Sequence, residues 1–184
     1  MYNLDEKNSL LEQVTISIEY GLKNQNQINV NKTHFSNNLV ENRACFVTLH
    51  LKNNLRGCIG SLNASKPLIE DVNFNAYAAA FEDPRFPKLT KDEFVNISTE
   101  ISVLSIPEEI IFSTENDLLS KLRIGIDGMI FEYESYRATY LPSVWSSLPI
   151  PKLFLNSLKE KSGLNANFWS KDVRCYRYTT EIIK

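Results

Sequence analysis

Residues 45–60 carry the pattern that most limits how this chain can fold. Two short runs, 45–51 and 55–59, place apolar residues at alternate positions on either side of a polar turn. This pattern predicts two antiparallel strands joined as a β-hairpin. The second strand lies within LRGCIG, and glycine inside a strand marks a bulge or a close approach to the backbone. Gly57 and Gly60 therefore make room either for a ligand or for a neighbouring segment of the chain.

The apolar positions also predict the register of the hairpin. A three-residue loop, 52–54, pairs Leu51 with Leu55 and Val47 with Ile59, so that the apolar faces of the two strands coincide. Its last residue, Asn54, can adopt the left-handed conformation that such loops need. We therefore predict this loop length.

This register brings polar and reactive side chains together on the other face of the hairpin. It places Thr48 opposite Cys58 and His50 opposite Arg56, with Arg56 and Cys58 one pleat apart. A guanidinium near a thiol favours the thiolate, so Cys58 is a candidate nucleophile or redox thiol. The alternative is that Cys58 is a small buried residue and that Arg56 belongs to a structural ion pair.

A second group of candidates lies in EDPRFPKL, residues 82–89. Pro84 and Pro87 stiffen this segment, so Arg85 can be held in place at low entropic cost. Arg85 could join Arg56 in binding a carboxylate or a phosphate. The alternative is that Asp83 pairs with a nearby arginine and closes the end of a helix.

Two further charged residues have both a functional and an ordinary interpretation. Glu100 lies on the polar face of a predicted strand, where it could act as a general base beside Cys58 or could simply be solvated. Arg137 could orient a ligand, or its aliphatic stem could lie over Tyr140.

The rest of the chain predicts an α+β protein. We expect helices over residues 4–20 with Gly21 as C-cap, from 65 to about 80, from the capping box at 114–117 to near Gly125, and over 152–162 with Gly163 as cap. We expect strands over 97–105, 123–126, 129–133, 137–141 and 173–179, a hairpin turn at 127–128, and a loop over 24–42.

Composition limits the classes of function. The 184-residue chain has a net charge of −2 and a pI of about 5.8, which argues against binding nucleic acid through bulk positive charge. Three cysteines without short spacing and only two histidines provide neither a disulfide framework nor a metal motif. The polar N-terminus is unlike a signal peptide, and the most apolar run, 76–81, is too short to cross a membrane. We expect a cytoplasmic protein without a metal site.

Several motifs, taken in order, resemble one family. LRGCIGSL, AAAFEDPRFPKL, EISVLSIPEEI, GIDGMIFEY, RATYLPSVW and the C-terminal YRY resemble the AMMECR-type domain family, also called AmmeMemoRadiSam system protein A. The matches run from about Leu10 to the C-terminus. One departure is Ser143 in LPSVW, where many members of the family have a longer side chain.

The resemblance implies a single domain over residues 1–184, with a mainly antiparallel sheet flanked by helices, a smaller second lobe and a groove between. The family has no established activity, so the resemblance leaves the cofactor unknown. Family members occur beside, or fused to, Memo-like and radical-SAM proteins, which implies these proteins as partners in a shared pathway. The family's signature positions fall on residues 55–60 and on Asp83, Arg85, Phe86 and Pro87.

Residues and resemblance together favour one function and leave two others open. The preferred interpretation is a groove around LRGCIG that binds a small anionic ligand through Arg56, Gly57, Gly60, Asp83, Arg85 and Arg137. One alternative is an enzyme that uses Cys58 as nucleophile or redox thiol and Glu100 for proton transfer. The other is a protein-interaction module in which the motif is purely structural. Substrate and oligomeric state are not defined by the sequence.

Overall fold

A computed structural model describes residues 1–184. Its helices and antiparallel strands confirm the α+β class, and none of the helices is both long and apolar enough to cross a membrane. The chain divides into two compact units, residues 1–104 with 181–184, and residues 105–180. In chain order the elements are α1 (Leu4–Asn24), a 3₁₀ turn (Lys32–His34), α2 (Asn37–Val40), β1 (Cys45–Leu51), β2 (Asn54–Gly60), α3 (Leu68–Phe81), α4 (Lys91–Phe94), β3 (Ile97–Leu104), β4 (Glu108–Glu109), α5 (Glu115–Lys121), β5 (Gly128–Tyr133), β6 (Tyr136–Tyr140), a second 3₁₀ turn (Pro142–Ser146), α6 (Pro151–Ser162), β7 (Arg174–Tyr178) and β8 (Thr180–Ile183).

The first unit is built on a sheet with strand order β2-β1-β3-β8. The central strand β1 is antiparallel to β2 and β3, and Val47 lies opposite both Ile59 and Ile101. The apolar side chains of these strands face α1 and α3, because alternate residues of a strand point to one side of the sheet. Buried members of this core are Leu10, Val14, Ile18, Val47, Leu49, Ile69, Val72, Ala76, Ile101 and Val103.

Helix α1 packs closely against α3. It begins with a capping box in which Asn3 Oδ1 accepts from the Glu6 N–H and the Glu6 carboxylate accepts from the Asn3 N–H. It ends at Asn24, and the C-cap residue Gln25 has a left-handed φ of 54°. The predicted C-cap at Gly21 was therefore wrong. Gly21 lies inside the helix, where a Cβ would approach Phe81 Cε2 to 2.4 Å. This glycine allows the two helices to approach, rather than ending one of them.

The hairpin between β1 and β2 has a two-residue turn. Leu51 pairs with Asn54, and both turn residues have left-handed φ values, 51° at Lys52 and 66° at Asn53. Such a pair of positive φ values is typical of the type I′ turn, whose twist matches that of the strands. The predicted three-residue loop was therefore wrong.

A β-bulge restores the register that the apolar pattern demands. His50 pairs with Leu55, whereas Leu49 pairs with Gly57, so Arg56 is the extra residue of β2. The predicted pairing of His50 with Arg56 was wrong for this reason. Beyond the bulge the strands return to the predicted register.

The second unit has strand order β4-β7-β5-β6, and β5 is antiparallel to both β6 and β7. Helix α6 contributes Phe154 to the core, where its ring stacks on Trp145 with 3.9 Å between centroids. The helix ends at Gly163, which has a φ of 96°, and this confirms the predicted cap.

Further predictions outside the hairpin of the first unit were wrong, among them the hairpin turn at 127–128, because Gly128 already begins β5. Residues 123–127 form a turn and not a strand, because the buried Asp127 carboxylate accepts hydrogen bonds from the Arg123 N–H and guanidinium. Helix α5 begins at the predicted cap but already ends at Lys121. The predicted loop over 24–42 contains the first 3₁₀ turn and α2, and strand β8 was not predicted.

Candidate functional site

The free edge of β2 is closed by the segment that follows α3. An edge strand exposes N–H and C=O groups that no neighbouring strand satisfies. Here the Asp83 carboxylate accepts from the Cys58 N–H at 2.9 Å, and Arg85 Nη2 donates to the Cys58 carbonyl at 3.0 Å. Asp83 and Arg85 thus satisfy both backbone groups of Cys58. We call this pair the β2 clasp.

The β2 clasp is also an ion pair with one buried and one exposed partner. Arg85 donates from Nε and Nη2 to Asp83 at 2.9 and 2.7 Å. The Asp83 side chain is 1% exposed and that of Arg85 is 53% exposed. Hydrogen bonds from Arg85, and then from the Cys58 N–H, hold the pKa of Asp83 well below its usual range. Asp83 is therefore ionised at neutral pH.

Arg56 is buried and holds the next segment of the chain. It binds Glu93 through Nε at 2.8 Å and through Nη2 at 3.0 Å, and Nη2 also donates to the Pro87 carbonyl at 2.9 Å. Hydrogen bonds from Arg56, followed by those from Thr90, lower the pKa of Glu93 to about 2. The remaining amino group of Arg56, Nη1, is buried without a partner in the protein.

The Arg56–Glu93 and Arg85–Asp83 ion pairs remove the electrostatic reason to expect a bound anion. The Phe86 ring centroid lies 5.8 Å from the Arg56 Cζ and 5.6 Å from the Arg85 Cζ, so both guanidinium groups flank one ring. Each has its own internal carboxylate, Glu93 and Asp83. Two unpaired cations would need a counter-ion, but this structure already supplies two. A bound anion at this place stays a prediction without that support.

The glycines of LRGCIG allow neighbouring parts of the chain to approach the backbone of β2 closely. A Cβ at Gly57 would lie 2.1 Å from the backbone oxygen of Ala79 in α3. A Cβ at Gly60 would lie 2.3 Å from the Phe46 ring and 2.4 Å from the Cys45 carbonyl oxygen. The close approach that the sequence indicated is thus made by α3 and β1.

A row of polar side chains crosses three strands on the sheet face opposite Ile59. Thr48 lies opposite Cys58, as predicted, and opposite Glu100 on its other side. Thr48 Oγ1 donates to Cys58 Sγ at 3.3 Å. Two strand spacings separate the Cα atoms of Cys58 and Glu100 by roughly 10 Å, so Glu100 is not in hydrogen-bond contact with the thiol. We call Cys58, Thr48 and Glu100 the polar row.

A depression of about 530 Å³ adjoins the polar row at the hairpin end of the sheet. Glu100 belongs to both. Its carboxylate lies 2.8 Å from Lys184 Nζ, and their side chains are 23% and 71% exposed. His50 and Ser98, which pair across β1 and β3, also line the depression. Other lining side chains come from the hairpin turn, from β3 and from α1, namely Asn53, Thr99, Leu11 and Thr15.

The three cysteines have different surroundings. Cys45 and Cys175 are fully buried, whereas Cys58 is partly exposed. Burial raises the pKa of the Cys45 and Cys175 thiols well above their usual range, and the nearby Asp71 raises that of Cys45 further. Cys58 is the one thiol of this chain that solvent can reach.

The structure brings most of the predicted site residues into the first unit, but not all. Arg56, Gly57, Cys58, Gly60, Asp83 and Arg85 cluster around β2, and Glu100 stands two strands away. Arg137 lies in the second unit, where it pairs with Glu132 at 2.7 Å. The cation over the Tyr140 ring is Lys161, at 4.8 Å.

Glu93, the partner of Arg56, was not among the residues predicted from the sequence. A signal for it was present, because Thr90 and Glu93 have the spacing of a capping box. Both halves of that box form in the structure at the start of α4. The lining residues Ser98 and Lys184 carried no comparable signal.

The chain is a mainly antiparallel α+β protein in which LRGCIG is hydrogen-bonded to the segment that contains Asp83 and Arg85. The AMMECR1 family model matches residues 11–183, and the chain belongs to this family.

Several relatives extend the comparison. The chain is 39% identical over 152 residues to Protein MJ0810 of Methanocaldococcus jannaschii, a match that covers 78% of this chain and 74% of the relative. It is 34% identical over 184 residues to a protein of Methanothermobacter thermautotrophicus, covering 97% and 93%. The crystal structure of the uncharacterized protein PH0010 from Pyrococcus horikoshii is similar with a TM-score of 0.85 and 32% identity, covering 97% of this chain and 90% of that one.

Proposed function

We propose that the first unit binds a small polar molecule at the polar row and in the depression beside it. The observation that carries this proposal is the position of Glu100, which ends the polar row and lines the depression. The volume of about 530 Å³ lies in the range of roughly 300–1,000 Å³ common for ligand sites. The proposed site thus includes Cys58 of LRGCIG, but it uses residues other than the arginines of the predicted anion site.

In this proposal Arg56, Asp83 and Arg85 support the binding site without contacting the ligand. Asp83 and Arg85 fix the backbone of Cys58, and Arg56 ties β2 to the segment before α4. Rigid support of this kind holds contact residues in one geometry and lowers the entropic cost of binding. Gly57 lets α3 pack close behind the same strand.

A library screen by thermal shift, followed by titration of each hit, tests the proposal. A ligand of the site should bind the wild type. Thr48→Val should weaken it about two- to tenfold and Glu100→Gln at least about tenfold, since a lost hydrogen bond is worth about 0.5–1.5 kcal/mol, and one to a charged group about 1.5–3 kcal/mol. Glu160→Gln, an exposed carboxylate on α6 of the second unit, is the matched control and should leave affinity unchanged. Hits whose affinity is the same for the wild type, Thr48→Val and Glu100→Gln would contradict the proposal.

A role for Cys58 as a reacting thiol is the second candidate, favoured by its exposure and by the hydrogen bond from Thr48. Cys58→Ser separates the two functions. It should keep ligand affinity within about twofold if Cys58 only contacts the ligand. Any turnover that the wild type shows and Cys58→Ser lacks would instead assign chemistry to the thiol.

We also propose, from the resemblance, that Memo-like and radical-SAM proteins act in the same pathway. Affinity purification of the tagged protein from its native cells should recover them above an untagged control. Their absence from repeated purifications with crosslinking would argue against direct contact.

A further inference from the structure

The side chains of the depression indicate the chemical class of its ligand, an inference that rests on the proposed function. Glu100 and Lys184 among them are paired at 2.8 Å, and His50 adds an imidazole. The depression therefore has no surplus ammonium or guanidinium group for a phosphate or a free carboxylate. A charged ligand would have to separate this pair and leave one of its members without a partner.

The uncharged lining groups can both donate and accept hydrogen bonds. Thr15, Ser98 and Thr99 contribute hydroxyl groups, and Asn53 contributes an amide. Leu11 is the one apolar side chain among them, and the imidazole of His50 is the one aromatic ring that lines the depression. Without a Phe, Tyr or Trp ring the site lacks the large stacking surface that planar bases and other flat rings use.

A hydroxyl group of a ligand matches the Glu100–Lys184 pair without breaking it. It can donate to the carboxylate and accept from the ammonium at the same time, because a hydroxyl has one donor and two acceptor sites. Several hydroxyl groups on one small molecule would likewise match the hydroxyl and amide groups around the pair. We propose that the depression binds an uncharged polyhydroxylated molecule, such as a free sugar or a cyclic polyol.

The test compares uncharged compounds with derivatives of them that carry a phosphate or a carboxylate. Saturation-transfer NMR and calorimetry would measure binding of ribose, glucose and myo-inositol, and of ribose 5-phosphate, glucose 6-phosphate, glucuronate and myo-inositol 1-phosphate. At least one uncharged compound should bind, and its charged counterpart should bind about tenfold more weakly or not at all. Glu100→Gln and Ser98→Ala should each weaken binding of the uncharged compound, and Glu160→Gln should not. The melting temperature of each variant shows that it is folded.

The possible failures are distinguishable. If a phosphorylated or carboxylated compound binds more tightly than its uncharged counterpart, and Glu100→Gln weakens it, the inference on ligand class is overturned and the proposed site stands. If the library screen yields a ligand of another class that Ser98→Ala and Glu100→Gln weaken, the outcome is the same. If neither these compounds nor any hit from the library responds to these variants, the proposed function falls together with the inference.

Discussion

Replacing Asp83 with alanine should destabilise the protein more than replacing Arg85, its ion-pair partner. The Asp83 side chain, 1% exposed, accepts from the Cys58 N–H, the Arg85 N–H and two guanidinium nitrogens of Arg85. Asp83→Ala leaves the Cys58 N–H without its acceptor, which lowers the free energy of unfolding by about 1–3 kcal/mol. The lost bonds to Arg85 add less, because that side chain is half exposed and solvent screens it. We expect a total of about 3 kcal/mol.

Arg85→Ala removes the exposed partner and lets water reach the Asp83 carboxylate in its place. The Cys58 N–H keeps its acceptor, so we expect a loss of about 1–2 kcal/mol. Urea unfolding measures both changes. Hydrogen exchange at Cys58 gives a local measurement, because this amide should lose protection in Asp83→Ala and retain most of it in Arg85→Ala.

The pH dependence provides a second check on the β2 clasp. The folded pKa of Asp83 lies below its unfolded value, which is about 3.9. Its stabilisation is therefore complete above that value and is lost as pH falls toward the folded pKa. The difference in unfolding free energy between wild type and Asp83→Ala should be constant from pH 6 to 8 and shrink below about pH 4. Equal costs for Asp83→Ala and Arg85→Ala, or unchanged exchange at Cys58, would refute this reasoning.

Three further predictions concern β2 and its turn. Gly57→Ala should cost about 2–3 kcal/mol in urea unfolding, because its Cβ would lie 2.1 Å from the Ala79 backbone oxygen; a loss below about 0.5 kcal/mol would contradict this contact. The combined change Lys52→Asn and Asn53→Gly should raise the unfolding free energy by about 0.5–1 kcal/mol, because both positions have positive φ; a destabilised variant would contradict the two-residue turn. Cys58 should react with iodoacetamide before the two buried cysteines, as read by mass spectrometry of quenched digests, and equal rates at all three would show that the fold does not protect the others.

The sequence predicted the faces of the central strands well, because burial on one side imposes a period of two. It did not predict the turn between β1 and β2. A β-bulge adds one residue to one strand, so Arg56 compensates for a turn shorter by one residue. Turn length and bulge thus cancel in the apolar pattern, and the pattern alone cannot separate them.

The members of the candidate site were easier to predict than their partners. Asp83 and Arg85 are neighbours in the chain, and their pairing was one of the alternatives considered. Glu93 lies 37 residues from Arg56, so only the folded chain brings them together. Because the sequence did not reveal this partner, the anion site at Arg56 was predicted without the internal carboxylate that neutralises the guanidinium.

The depression was not predictable for a related reason. Its lining combines α1, the hairpin turn, β3 and Lys184 at the far end of the sequence, and none of these segments carries a recognisable motif. In contrast, LRGCIG and the segment around Asp83 are conspicuous in the sequence. Their polar side chains, however, form hydrogen bonds with each other's segment and with the edge of β2.

Amide chemical-shift mapping tests the central claim, that the polar row and the depression beside it form the binding site. The isotope-labelled protein would be titrated with the compound that binds most tightly among the library and the polyols. The account predicts that the largest shifts fall on residues 48–50 and 98–100 of β1 and β3, and that Glu100→Gln reduces them. Shifts centred on residues 105–180, or on the β2 clasp without the polar row, would contradict it.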